Sequence, residues 1–137
     1  MDDPFYRYKM PKPVFASEKH GIRIKNFKSI CLAIKRNEEY LINYLKKKLG
    51  TTISIRNDTI LIKGNVSNEE ITTIIQSFIE EYVLCEICSL PETDFYIDTK
   101  NKMFDSCRSC GNSKKISNTD PLYKIIKKYP NRYTQKL

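Results

Sequence analysis

Four of the five cysteines form two closely spaced pairs, and this spacing constrains the fold more than any other feature. The pairs are Cys85-x2-Cys88 and Cys107-x2-Cys110, with 18 residues between them. Cysteines two residues apart can place both thiolates on one metal ion at about 2.3 Å. Gly111 follows the second pair, and a residue free to take positive φ lets backbone N–H groups turn toward the sulfurs. The sequence therefore predicts a zinc ribbon that holds one Zn²⁺.

The same spacing allows other chemistry. A rubredoxin-like iron site shares the ligand spacing, and two disulfides are formally possible, although a cytosolic chain disfavours them. Four thiolates leave no open coordination position, so the metal is expected to be structural rather than catalytic. Cys31 falls on the apolar stripe of a predicted helix and is interpreted as a buried thiol.

Two consecutive helices are predicted upstream of the ribbon. Asn26 is expected to cap a helix that ends near Arg36, with an apolar stripe of Phe27, Ile30, Cys31 and Ile34. Asn37 is expected to cap a second helix that ends before Gly50. Its first turn is acidic and its last turn is basic, which suits the helix dipole.

A hairpin and a third helix follow. Apolar residues alternate over 53–55 and 60–62 around Asn57-Asp58, which predicts two strands joined by a tight turn. Ser67-x-x-Glu70 is a capping box, and it precedes a helical stripe of Ile71, Ile74, Ile75, Phe78, Ile79 and Tyr82. With a strand near 21–25, these elements predict a small antiparallel sheet covered by helices, so the fold class is α+β.

The remaining elements complete the domain plan. Ribbon strands are expected at 94–98 and 102–106, and Asp120-Pro121 is expected to begin a basic helix that either docks or stays free. Its apolar side is predicted to carry Leu122, Ile125, Ile126 and Tyr129. The predicted parts are an extended arm (1–13), an α+β module (14–83), the zinc ribbon (84–118) and a basic helix or tail (119–137).

The net charge of +8 is unevenly distributed along the chain. Basic residues are concentrated toward the two ends and flank an acidic middle, which favours an anionic partner, above all RNA. Most of the cations are lysines, which attract phosphate without reading bases. The predicted partner or RNA contacts are Tyr6, Tyr8, Lys9, Arg23, Lys46, Lys47, Lys48, Lys114, Lys115, Lys124, Lys127 and Lys128.

Several function classes are excluded or disfavoured. No apolar run is long enough for a membrane span, and the acidic start Met1-Asp2-Asp3 is unlike a signal peptide, so we expect a cytoplasmic location. We also expect the chain to be a monomer. The nucleotide-binding glycine motifs and the nucleophile elbow are absent, so the chain is not expected to be an enzyme by itself.

Two long motifs carry a family resemblance. The string from Asp3 to Pro11, DPFYRYKMP, resembles the start of eukaryotic translation initiation factor 5. Val83-Leu84 followed by the first cysteine pair and Pro91-Glu92-Thr93, and then Cys107-x-x-Cys110-Gly111, resemble the zinc domain of the same family. This family is shared with the beta subunit of translation initiation factor 2, and the resemblance extends from Asp3 to about Ile116.

The resemblance implies a specific activity. In that family the amino-terminal domain is a GTPase-activating protein for initiation factor 2 in the 43S preinitiation complex during start-codon selection. The arginine that matches Arg7 is implicated there in GTP hydrolysis, so Arg7 is the expected catalytic residue, supplied in trans. The implied partners are the gamma-subunit GTPase and the ternary complex, initiator tRNA and the rRNA of the small ribosomal subunit.

Two other hypotheses stay open. Lys25-Asn26-Phe27, Ile30-Cys31 and Leu49-Gly50-Thr51 are closer to the beta subunit, which is a scaffold rather than an activator. The chain also ends without the helical-repeat domain of factor 5. The alternative is therefore a binding module or competitor that does not activate hydrolysis. A zinc-ribbon transcription protein is a weaker alternative, because the arm would have no role in it.

Overall fold

The computed structural model describes residues 11–85, 87–88, 93–97, 100, 102–128 and 135–136. These residues form helices and mainly antiparallel sheets, which confirms the predicted α+β class. The helices are α1 (Phe27–Ile34), α2 (Glu38–Leu49), α3 (Asn68–Tyr82) and α4 (Pro121–Lys128). The strands are β1 (Phe15–Glu18), β2 (Gly21–Ile24), β3 (Ile53–Arg56), β4 (Thr59–Lys63), β5 (Thr93–Ile97), β6 (Met103–Cys107), β7 (Ser113–Ile116) and β8 (Gln135–Lys136).

The first sheet has the strand order β1-β2-β4-β3, and all neighbours are antiparallel. The predicted hairpin is confirmed as β3 and β4, with Asn57 at positive φ (55°) in the turn. Strand β1 is an addition that the sequence did not predict. Gly21 begins β2 at a point where this strand lies very close to β4. A Cβ at Gly21 would lie 2.1 Å from the Ile62 carbonyl oxygen, which leaves no room for a side chain.

Two predicted N-caps and one predicted C-cap are confirmed. The Asn37 side chain accepts a hydrogen bond from Glu39 N at 2.9 Å, and Gly50 ends α2 at φ 64°. The Ser67 hydroxyl accepts from Glu70 N at 3.0 Å, which begins α3. These local interactions fix where the two longest helices begin.

The predicted cap at Asn26 is confirmed in position but not in its side-chain hydrogen bond. Asn26 occupies the N-cap position of α1, but its φ and ψ of −109° and 31° differ from the extended backbone that directs a side chain onto the first turn. Its amide instead accepts from Val14 N at 2.9 Å and donates to Lys12 O at 2.7 Å. Asn26 therefore ties the chain preceding β1 to the start of α1.

The first sheet and α1–α3 enclose one apolar core. The predicted stripe of α1 is buried, and Phe78 of α3 lies in the interior with no exposure. The Tyr44 and Phe78 ring centroids are 5.3 Å apart, with the rings edge to face. The buried members of this core include Ile24, Phe27, Ile30, Cys31, Ile34, Tyr40, Leu41, Ile42, Leu45, Ile60, Ile62, Ile71, Ile75, Phe78 and Ile79.

The second sheet has the strand order β7-β6-β5-β8. Strands β5 and β6 match the two predicted ribbon strands to within one residue, whereas β7 was not predicted. Strand β8 pairs in parallel with the end of β5. Thr99 and Asn101 lie outside the described residues, and Lys100 between them is in a turn.

The last helix docks rather than staying free. The Asp120 carboxylate accepts from Leu122 N at 2.8 Å, which confirms the predicted start of α4. The same oxygen accepts from the Tyr82 hydroxyl at 3.0 Å, so it also ties α4 to the end of α3. Leu122 and Ile126 are buried, and α4 contacts α2. Tyr129 lies outside the described residues.

Candidate metal centre and basic surfaces

The four paired cysteines lie in two loops that meet at one end of the second sheet. Cys85 follows the end of α3, and Cys88 lies in the turn three residues later. Cys107 ends β6, and Cys110 lies in the turn that leads to β7. The antiparallel pairing of β5 and β6 places Thr93 opposite Cys107. This register brings the second cysteine pair close to the strand that follows the first cysteine pair.

The sulfur positions fit a single tetrahedral ion. All four Sγ atoms lie within 4.8 Å of one another. The Cys85 and Cys110 sulfurs are 3.6 Å apart, as are those of Cys88 and Cys107. A tetrahedron with metal–sulfur bonds of about 2.3 Å has sulfur–sulfur edges of about 3.8 Å, whereas a disulfide needs about 2.05 Å. The four cysteines could therefore hold a metal ion.

Backbone groups favour the thiolate form at this centre. Hydrogen bonds from the backbone of Cys88 and of Ile87 lower the pKa of Cys85 to about 7, and Ile87 N lies 3.4 Å from the sulfur. Gly111 adopts φ 81°, and its N–H donates to the Cys107 carbonyl at 3.0 Å. The positive φ of Gly111 accompanies this hydrogen bond, which closes the turn of the second cysteine pair.

The fifth cysteine is separate from this centre. Cys31 lies on α1 and is 2% exposed, and burial raises the pKa of its thiol well above the usual range. It is absent from the cysteine cluster. Its assignment as a buried apolar side chain is confirmed.

A buried arginine joins the two sheets, and sequence reasoning missed it. Arg36 lies between α1 and α2 and is 3% exposed. Its guanidinium donates to Tyr82 O at 2.8 Å, to Thr93 O at 3.1 Å and to Thr93 Oγ1 at 2.7 Å. The Thr93 hydroxyl donates in turn to Val83 O at 2.6 Å. Arg36 therefore connects the end of α3 to the first strand of the ribbon.

An aromatic ring and a carboxylate also lie beside Arg36. The guanidinium lies 4.3 Å from the centroid of the Phe95 ring. Asp105 Oδ1 lies 3.8 Å from the guanidinium, which is an ion pair without a hydrogen bond. Burial raises the pKa of Asp105 to about 6, although the charge of Arg36 opposes this shift. Burial also lowers the pKa of Arg36.

No local pattern in the sequence marks Arg36 as buried. It follows a helical stripe at the position where a solvated basic residue normally ends a helix. The available signal was Asp105, a carboxylate on a predicted ribbon strand. Identifying its partner required the three-dimensional packing of α3 against β5.

The expected catalytic residue Arg7 and the predicted contact residues Tyr6, Tyr8 and Lys9 lie outside the described residues. Arg23 is on β2, where its guanidinium pairs with the Glu18 carboxylate and donates to Thr59 Oγ1 at 2.7 Å. The hydrogen bond with Glu18 raises the pKa of Arg23 and lowers that of Glu18. Arg23 thus has bonding partners within its own sheet.

The three lysines of the last turn of α2, 46–48, are exposed. They border a groove of about 480 Å³ between α2 and α4, whose wall includes Tyr44, Tyr82, Leu122 and Ile125. Lys48 Nζ lies 5.4 Å from the centroid of the Tyr44 ring. The lysines of α4 are also exposed; they are Lys124, Lys127 and Lys128.

The structure separates the two lysines of β7. Lys114 lines a cavity of about 110 Å³ together with Glu80, Glu81 and Asp105. Lys115 lines a different groove together with Lys102. Successive residues of a strand project to opposite faces, which explains the separation.

Comparisons with known proteins relate most of the chain to translation factors. The family model described as the domain found in initiation factors 2B and 5 matches residues 1–113. Eukaryotic translation initiation factor 5 of Saccharomyces cerevisiae is 34% identical over 134 residues, covering 93% of this chain and 33% of the yeast protein. The Mus musculus protein of the same name is 31% identical over 137 residues, covering 95% of this chain and 32% of its own length.

A second group of relatives has a different name. Eukaryotic translation initiation factor 2 subunit 2 of Caenorhabditis elegans is 32% identical over 111 residues, covering 80% of this chain and 44% of its own length. The chain therefore spans about a third of the length of the factor 5 relatives and less than half of this one. None of the helices in the described part of the chain has the length and apolar content that a membrane span requires.

Proposed function

The chain belongs to the family of domains found in initiation factors 2B and 5, and on that basis we propose that it is a translation initiation factor that activates GTP hydrolysis by initiation factor 2. The predicted family resemblance is confirmed by this match and by the relatives named factor 5 and factor 2 subunit 2. The observation that carries the proposal is that the family match begins at residue 1 and so includes the arm around Arg7.

Arg7 is the proposed catalytic residue, and it acts in trans on a partner GTPase. Its planar guanidinium stays charged and presents several fixed donors, so it can stabilise the charge that develops on a transferring γ-phosphoryl group. In other GTPases an arginine supplied in this way accelerates hydrolysis by about 10³ to 10⁵. A lysine has a single charged centre without the planar fork, so it would substitute poorly.

The proposed cofactor is one structural Zn²⁺ held by Cys85, Cys88, Cys107 and Cys110. The four-sulfur donor set and the 3.6 Å sulfur–sulfur distances support zinc or iron in tetrahedral coordination. When bound, the ion supplies folding energy and no reaction chemistry, because all four of its positions are filled. The cysteine turns and Arg36 then fix the ribbon against the end of α3.

The proposed partners are the gamma-subunit GTPase within the ternary complex, initiator tRNA and the rRNA of the small ribosomal subunit. In this arrangement the arm (1–13) reaches the GTPase, while the α+β module (14–83), the ribbon (84–118) and the basic end (119–137) hold the chain in place. The exposed lysines of α2 and α4 support an anionic surface as the neighbour.

Single-turnover GTP hydrolysis tests the proposed activity. Reconstituted initiation complexes that carry a start codon are mixed with the native chain, with Arg7→Ala or with Arg7→Lys. Both substitutions should abolish most of the stimulation while leaving binding to the complex unchanged. Lys12→Ala, which removes a charge from the same arm outside the predicted contacts, should retain stimulation. Full stimulation by Arg7→Ala would show that Arg7 is not the catalytic residue.

The relative named factor 2 subunit 2 supports a second candidate function. A beta-subunit-like module would occupy the same complex as a scaffold or competitor. It predicts that the native chain binds the complex without stimulating hydrolysis and that Arg7→Ala changes neither property. The hydrolysis experiment therefore distinguishes the two functions directly.

A further inference from the structure

A basic groove lies where β6 begins, β7 ends and α4 passes. Its volume is about 520 Å³. Six of its lining residues carry polar or charged groups: Lys100, Lys102, Lys115, Ser117, Asn118 and Tyr123. Lys127 Nζ lies 5.9 Å from the centroid of the Tyr123 ring, which places a fourth lysine beside the groove. Among the described residues, no carboxylate lines it.

The chemistry of this lining suits a phosphodiester backbone. Lysines supply point charges for phosphate, and hydroxyl and amide side chains such as those of Ser117, Asn118 and Tyr123 commonly donate to phosphate and sugar oxygens. An aromatic ring at the edge can also contact a base face. The carboxylates of an acidic protein would also accept from these donors, but a nucleic acid adds bases that can stack on the Tyr123 ring.

The neighbouring cavity provides an internal contrast. Lys114 is adjacent in sequence to Lys115 but lines the cavity that contains Glu80, Glu81 and Asp105. The acidic neighbours of Lys114 repel phosphate, whereas the neighbours of Lys115 attract it. The two adjacent lysines of β7 therefore have opposite electrostatic surroundings.

From this contrast we infer that the Lys102–Lys115–Tyr123 groove binds the backbone of an RNA strand, and that Lys114 does not participate. This site is distinct from the cysteine centre and from the arm. This inference rests on the proposed function and specifies the surface that would contact RNA in an initiation complex. Of the two β7 lysines predicted from sequence, Lys115 is retained and Lys114 is excluded. Lys100 and Lys102, which were not predicted from sequence, are added.

Binding of the full zinc-loaded chain to a fluorescein-labelled RNA hairpin tests the inference. Anisotropy titrations between about 50 and 200 mM salt give the Kd and its salt dependence. Lys115→Gln should weaken binding roughly threefold and lower the slope of log K against log salt by about 1. Lys102→Gln/Lys115→Gln should weaken binding roughly tenfold and lower the slope by about 2.

Lys114→Gln is the matched control, since it removes the same charge from the adjacent position. It should leave the Kd and the salt slope unchanged, and zinc content confirms that each variant is folded. Equal weakening by Lys114→Gln and Lys115→Gln would overturn the inference, as would an unchanged Kd for the double variant. Because the assay contains no GTPase, its failure would leave the Arg7 hydrolysis result unaffected.

Discussion

The two sheets of this protein are stabilised by different means. The first sheet and α1–α3, here called the module, bury a continuous set of isoleucine, leucine and aromatic side chains. The second sheet and its two cysteine turns, here called the ribbon, bury far fewer apolar residues, chiefly Phe95, Met103 and Ile116. The module can therefore stabilise itself by apolar burial, whereas so small a core would make the ribbon depend on the proposed Zn²⁺.

The junction between them combines apolar contact with a buried ion pair. The Tyr40 and Phe95 rings lie edge to face with their centroids 5.8 Å apart, and Phe95 belongs to the same apolar cluster as the module. Arg36 of the module donates a hydrogen bond to the Thr93 hydroxyl and forms an ion pair with Asp105; both partners lie in the ribbon. Buried Arg36 Nε and Asp105 Oδ1 have no hydrogen-bond partner among the described residues. Such a junction stabilises one relative placement of the sheets, because its charges are compensated only when the ribbon is folded.

Loss of the metal centre should have the largest effect and should affect the ribbon first. Cys107→Ser removes one of four thiolates, and structural zinc contributes about 10–16 kcal/mol of apparent binding free energy in comparable peptides. We expect zinc content to fall well below one ion per chain and the ribbon amide resonances to lose dispersion. Both are measured on purified protein, by elemental analysis and by NMR.

Cys31→Ala is the matched control for that experiment, because Cys31 is buried on α1 outside the cluster. It should lower the stability of the module while zinc content stays at one ion per chain. Loss of zinc from Cys31→Ala, or normal zinc content in Cys107→Ser, would be incompatible with the assigned ligand set.

Removal of the arginine at the junction should have the next largest effect. Arg36→Met leaves Asp105 buried without its cation and leaves the carbonyls of Tyr82 and Thr93 without their donor. Breaking a buried pair in this way typically costs about 3–5 kcal/mol, measured here by urea unfolding of the zinc-loaded chain. Asp105→Asn in the same background should recover part of the loss, because the unpaired charge is removed. Additive effects of the two substitutions would show that the pair is not coupled.

The smallest predicted effect is confined to the module. Ser67→Ala removes the hydroxyl that accepts from Glu70 N at the start of α3. The expected loss is about 1 kcal/mol in urea unfolding, with zinc affinity unchanged. Thr72→Ala on the same helix is a control, because its hydroxyl bonds only to the Asn68 carbonyl one turn back. A loss of zinc affinity in Ser67→Ala would mean that the two sheets are not stabilised independently.

Features encoded by adjacent residues could be predicted from the sequence. The cysteine pairs, the Ser67 capping box and the β3–β4 turn each lie within a few residues of sequence, so their geometry follows from local spacing. Strands β1 and β7 have four residues each and little apolar alternation, and they form because β2 and β6 offer unpaired edges.

Features that depend on distant packing could not be predicted. Asn26 has the residue type of a cap, but the chain preceding β1 takes its amide. Arg36 resembles a surface cation until α3 and β5 surround it. The division of Lys114 and Lys115 between two cavities likewise depends on which elements cover each face of the ribbon.

Region-resolved hydrogen exchange with and without a metal chelator tests the difference between the two sheets most directly. Chelation should remove protection from amides of β5 and β6 while amides in the middle of α2 and α3 stay protected. Small changes are expected at the end of α3, where Arg36 joins the sheets. Simultaneous loss of protection throughout the chain, or retention of protection in β5 and β6 after the metal is removed, would show that the two sheets do not differ in this way.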